Sequence, residues 1–122
     1  MYLKPVRKKG TIYGTFLQNL DAAGVRQFVK PYPMTSRQAR GLIDTDIRIL
    51  FVDGDHAYEE VKTDICIWQD LLLPGGYIAL HDFRPEAPDC VRAIRETIME
   101  SPRYECLLTV DSLLIAQKTP GS

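Results

Sequence analysis

Asp53, Gly54, Asp55 and His56 stand in succession, and His81 and Asp82 form a second acidic pair further along the chain. Carboxylates and imidazoles are the side chains that hold divalent ions and move protons near neutral pH. His56 and His81 are the only histidines, and each has an aspartate beside it in the sequence. If the two segments end neighbouring strands, Asp53 and Asp82 share one sheet edge. Two carboxylates held that close repel unless a proton, a cation or a polar ligand sits between them. An octahedral Mg²⁺ site with retained waters suits such a pair, and either histidine can act as a general base. The same residues also have structural uses. Asp and Gly are common turn formers after a strand, and Asp55 is placed to cap a helix that starts near His56.

The elements that must position these residues are legible as periodicities. Ile47 to Val52 is apolar apart from Arg48 and reads as a strand buried on both faces. Tyr77 to Leu80 reads as a second central strand, set off by a turn at Pro74-Gly75-Gly76. Between them Ala57, Val61, Ile65, Trp68 and Leu72 recur at helical steps, with Glu59, Glu60, Lys62 and Asp70 off the stripe. Trp68 sits on that stripe and is expected in the core. Upstream, Tyr13, Phe16, Leu17 and Leu20 mark a helix over Thr11 to Ala23, stopped by Gly24. Val25 to Tyr32 reads as a short strand ended by Pro31 and Pro33. Thr35 to Gln38 has capping-box spacing for a short helix through Ile43. Downstream, a helix from about Pro88 buries Val91, Ile94 and Ile98 and stops before Pro102. Tyr104 to Val110 and Leu113 to Gln117, joined at Asp111-Ser112, read as a closing antiparallel hairpin. Alternating strands and helices with buried strands imply an α/β, Rossmann-like three-layer sandwich. Its sheet is expected to be mostly parallel, with the hairpin as an antiparallel edge. Ligands of such sheets sit at the carboxyl ends of the strands, where Asp53 and Asp82 fall.

Composition bounds the rest. The chain has 122 residues, 45% hydrophobic and 25% charged, with a net charge of −1, which fits one globular domain. Residues 1–10 form a basic N-terminal segment and residues 119–122 a tail expected to fray. A charge this close to zero gives no general attraction to nucleic acid or to an anionic membrane surface. The apolar runs are strand-sized, far below a membrane span. Three cysteines without metal-like spacing suit reduced thiols in a cytoplasmic protein.

The run Phe51-Val52-Asp53-Gly54-Asp55-His56-Ala57-Tyr58-Glu59-Glu60-Val61-Lys62-Thr63-Asp64, then Trp68, Leu72, Pro74-Gly75-Gly76 and His81-Asp82-Phe83, resembles a known family. It is similar to the small class I S-adenosylmethionine-dependent methyltransferases, whose fourth strand ends in Asp-Gly-Asp-His and whose fifth ends in His-Asp. The resemblance is strong over Leu42 to Phe83 and weaker over Phe16 to Ser36. It implies transfer of a methyl group from S-adenosylmethionine to an oxygen or nitrogen of a small acceptor. It further implies that Asp53, with Asp82 and His81, holds a metal such as Mg²⁺. Ser36, Asp53 and Asp55 would lie on the cofactor side, and His56 would be the base. His81 departs from the carboxylate-rich metal sites of metal-dependent relatives.

A second departure lies near the N-terminus. The family begins with a strand ending in a Glu/Asp-x-Gly-x-Gly loop, and residues 1–14 do not carry that pattern. The expectation is therefore a domain incomplete at its N-terminus, with weak or no independent activity. Pairing of Val25–Tyr32 with Ile47–Val52, or a homo-oligomer, would cover the strand edge left open. Two other readings stand beside this one. One is a non-catalytic interaction module or oligomeric fragment that needs a partner. The other is a metal-dependent glycosyltransferase fragment built on Asp53-Gly54-Asp55.

Overall fold

The structure, a computed structural model, describes residues 11–54 and 57–121. Helix α1 spans Thr11–Ala22 and is closed by Gly24 at φ +72°, a left-handed conformation that glycine enters without a Cβ penalty. Helix α2, Ser36–Arg40, has the expected capping box. Gln38 N–H donates to Thr35 Oγ1 at 3.2 Å and Thr35 N–H donates to Gln38 Oε1 at 3.0 Å. Strand β1 is Ile47–Val52. Helix α3, Tyr58–Trp68, buries Val61, Ile65 and Trp68 and puts Glu59 and Glu60 in its first turn, where they complement the helix dipole. A 3₁₀ turn, Gln69–Leu71, leads into strand β2, Leu72–Leu80. Helix α4, Pro88–Ile94, continues as a π turn over Arg95–Met99. Strands β3, Tyr104–Val110, and β4, Leu113–Lys118, form the hairpin.

The four strands lie in the order β1-β2-β4-β3. β1 and β2 are parallel, and the two ladders that involve the hairpin are antiparallel. The register Leu50↔Ile78↔Ala116 and Val52↔Leu80↔Leu114 brings one apolar row per strand onto a shared face. That row joins Val61, Ile65 and Trp68 of α3, Cys90, Ala93 and Ile94 of α4, and Ile98 in a single core. Each fully buried aliphatic chain there contributes roughly 1.5–3 kcal/mol. The same inner face carries Lys118, whose ammonium donates to the carbonyls of Gln69 and Leu72 at 3.0 and 2.8 Å. Burial lowers its pKa.

Three expectations are corrected. Val25 to Tyr32 is not a strand: Arg26–Phe28 forms a 3₁₀ turn and Phe28 is 80% exposed. The turn that ends α1 is too close, and Pro31 and Pro33 offer no N–H to a ladder. Hence, among the described residues, β1 is an edge strand. It is also not buried on both faces, since Leu50 packs inward and Ile49 is 62% exposed. Pro74-Gly75-Gly76 does not precede the second strand but lies within it. Ile47 pairs with Leu72 and Ile49 with Tyr77, so β2 makes an excursion between the two pairs. Gly75 takes φ +84° there. A Cβ on Gly76 would stand 2.9 Å from Arg48 O and 2.8 Å from Leu72 Cδ1; only glycine lets the strands approach. The outer sheet face leaves Ile49, Tyr77, Leu108 and Val110 exposed.

Candidate functional site

β1 and β2 run parallel, so their carboxyl ends open on the same rim. His81 N–H donates to Val52 O at 3.0 Å, extending the ladder one step past the strands. That step sets His81 beside Asp53. His81 Nδ1 lies 3.2 Å from Asp53 Oδ1 and 3.3 Å from Asp82 Oδ1. One oxygen from each carboxylate and the imidazole nitrogen fall within 4.8 Å of one another. The two aspartates differ in setting: the Asp82 side chain is 9% exposed and that of Asp53 31%. With Nδ1 protonated, His81 donates towards both carboxylates, which leaves Nε2 to accept from a hydroxyl.

That hydroxyl is supplied by the hairpin. Ser112 Oγ stands 3.5 Å from His81 Nε2, and Ser112 O accepts from Phe83 N–H at 2.9 Å. The tip of β3–β4 is thereby docked onto the segment that follows β2. Asp82 has φ +63°, a conformation that costs most L-residues roughly 1–2 kcal/mol and that Asp tolerates through local polar contacts. Arg84 supplies one such contact: its Nε is 3.2 Å from Asp82 Oδ1. A small hollow at the rim is lined by Asp53, His81 and Asp82 themselves, with Val61, Cys90 and Ile94 on its apolar side. Opposed carboxylates with an imidazole between them can hold a cation or orient a polar group.

The structure thus gathers Asp53, His81 and Asp82, three of the residues singled out from the sequence. Ser36 is engaged elsewhere, accepting from Trp68 Nε1 at 2.6 Å at the start of α2. The buried Trp68 therefore has a polar task as well as a core one, and Arg40 lies 5.9 Å over its ring. Asp55 and His56 lie outside the described residues. Sequence reasoning did not find Ser112. Its one signal was its place in the hairpin turn, which says nothing of where the turn docks. Arg84, two residues beyond Asp82, pairs with it.

A family model described as a methyltransferase domain matches residues 6–83. Among curated proteins, an uncharacterized protein of Acanthamoeba polyphaga mimivirus is 26% identical over 100 residues, covering 80% of this chain and 42% of that protein. Among solved structures, cofactor-bound Rv0187 from MTB superposes with a TM-score of 0.75 at 19% identity, covering 98% of this chain and 61% of that one. The O-methyltransferase from Bacillus cereus, in complex with SAH, gives a TM-score of 0.74 at 17% identity and covers 95% and 62%. The O-methyltransferase TomG from Streptomyces achromogenes, in complex with SAM, gives 0.73 at 15% identity and covers 96% and 60%. These likenesses show the mixed α/β, Rossmann-like fold of class I methyltransferases. This chain spans less than two thirds of the length of each of these relatives.

Proposed function

The chain belongs to the methyltransferase domain family, and from that premise we propose that it binds S-adenosylmethionine for methyl transfer to an oxygen or nitrogen of a small acceptor. The observation that carries this reading is the shared rim of β1 and β2, with Asp53, His81 and Asp82 side by side. SAM and SAH are bound by structures of the same fold. In this reading Ser36, Asp53 and Asp55 line the cofactor side. His56 takes the acceptor's proton, and in-line displacement at the sulfonium needs little more than that and correct alignment. The donor set also fits a divalent ion. Asp53, His81 and Asp82 would hold it, and its chemistry would be charge stabilisation at the acceptor.

Calorimetric titration with S-adenosylhomocysteine tests the proposal. Saturable heat that falls when Asp53 becomes Ala supports it, and no heat at millimolar ligand overturns it. A second reading has its own observation. β1 has an open edge among the described residues, and Ile49, Tyr77, Leu108 and Val110 leave an apolar face uncovered. Such surfaces invite pairing with another chain, and we extend the proposal to self-association through β1. Among the described residues no helix is long and apolar enough to cross a membrane.

A further inference from the structure

The near-neutral total conceals a division of charge along the chain. Residues 1–43 hold eight of the 15 basic residues and one of the 16 acidic ones, so they carry +7 and residues 44–122 carry −8. Four of the eight, Lys4, Arg7, Lys8 and Lys9, precede α1 in the sequence and lie outside the described residues. Arg40 is engaged inside the fold, donating to the carbonyls of Ile67 and Ile43. Arg37 stands 3.8 Å from Glu60 with the two side chains 61% and 49% exposed, a contact that solvent screens. Arg26 and Lys30 differ from these. Neither pairs with a carboxylate among the described residues, and Arg26 has only a 3.4 Å contact with Val29 O. Between them stands Phe28, 80% exposed. Arg26–Phe28 is a 3₁₀ turn that Val29 continues as extended backbone, and Pro31 and Pro33 bar this segment from a ladder. The ring and its flanking cations therefore stay at the surface. Those are the two parts of a single-strand nucleic-acid site, where cations follow the phosphates and an aromatic ring stacks on a base. Groove recognition of a duplex wants a helix or ribbon that carries the contacts, and α1 has no basic residue. A helix lying on a membrane wants a basic polar face and an apolar face free to insert; the α1 stripe Tyr13, Phe16, Leu17 and Leu20 is half-buried. We propose that Arg26, Phe28 and Lys30, with the basic residues that precede α1, bind single-stranded nucleic acid. This does not rest on the methyl-transfer reading, since binding is measured without the cofactor.

The test follows the fluorescence anisotropy of a labelled oligouridylate of about 16 nucleotides on titration with the full chain. With about four phosphates neutralised, log K falls against log salt with a slope of about −3, so raising salt from about 50 to about 200 mM should weaken binding about 50-fold. Arg26→Ala combined with Lys30→Ala should make that slope shallower by about 1.4. Phe28→Ala should lose about 10-fold or more in affinity at an unchanged slope, and Phe28→Trp should keep the affinity. Circular dichroism checks that each variant is folded. No binding at about 50 mM salt, affinity indifferent to Phe28, or equal affinity for the duplex with oligoadenylate overturns the proposal. Two other occupants would also overturn it. Vesicles of phosphatidylserine and phosphatidylcholine in equal parts, bound in place of the strand, would make the surface a membrane contact. A mass by light scattering that falls in the Arg26 and Lys30 variant, with no strand bound by the parent chain, would assign it to the acidic part of a second copy.

Discussion

Asp82 is the residue at which backbone and site chemistry meet, and substituting it in two ways separates them. Its side chain is 9% exposed, its φ is +63°, and it pairs with Arg84 and His81. Those partners are 44% and 41% exposed, so solvent screening holds each pair to roughly 0.2–1 kcal/mol. Asp82→Ala loses both pairs and keeps a left-handed conformation that costs alanine roughly 1–2 kcal/mol. Asp also paid part of that strain, so the net destabilisation is expected near 1–2 kcal/mol. Asp82→Gly loses the same pairs and sheds the strain, less about 0.4–1 kcal/mol of unfolded-state entropy. Glycine should therefore be the more stable variant by about 0.5–1 kcal/mol, the difference of those two figures. Urea unfolding followed by circular dichroism reads both values, with an unchanged m-value required for the comparison. An alanine variant as stable as the glycine one would refute the left-handed rim, and with it the placement of the Asp82 carboxylate beside His81.

Three further outcomes follow from the fold. Gly76→Ala forces a Cβ against Arg48 O and Leu72 Cδ1 and should cost about 1–3 kcal/mol in urea unfolding; a neutral result would contradict the close approach of β1 and β2. Tyr104 donates to Gln69 Oε1 at 3.0 Å, and burial raises its pKa above the ordinary 10.0. Its contribution is whole below pH 10.0 and is lost as pH rises through the raised folded value, so Tyr104→Phe should flatten that part of the alkaline stability profile. Lys118, with its pKa lowered by burial from 10.5, acts in the opposite sense, its term rising with pH between the lowered value and 10.5, and the comparison leaves it in place. Ile49→Lys puts a charge on the edge strand and should lower the mass seen by light scattering at a given concentration; a wild-type chain that stays monomeric would contradict self-association through β1.

How far the sequence reaches depends on the range of the interaction that decides each feature. α3 and the β3–β4 hairpin are set by local periodicity and turn residues: the hairpin appears where expected, one residue longer at Lys118, whereas α3 ends at Trp68 and Leu72, read as the last of its stripe, opens β2. The adjacency of Asp53 and Asp82 follows from two apolar runs joined by one helix, which leaves a parallel pair as the natural solution. Val25–Tyr32 failed because an apolar run becomes a strand only with a partner edge, and pairing is a long-range choice. Pro74-Gly75-Gly76 has turn chemistry, yet the strand resumes on the same partner beyond it, which composition cannot show. Ser112 was invisible for a similar reason: its contact with His81 exists only because the hairpin folds back onto β2. Lys118 occupies an inward position of an alternating strand, where the expected residue is apolar, and two backbone carbonyls make it tolerable.

If the carboxyl ends of β1 and β2 form one ligand-binding rim, a bound ligand must perturb both at once. A ¹H–¹⁵N correlation spectrum recorded during titration with S-adenosylhomocysteine addresses it directly. Saturable shifts are expected at the amides near Asp53, Gly54, His81 and Asp82. Saturable shifts centred on the far ends of those strands, around Ile47 and Leu72, with the rim unmoved, would contradict it.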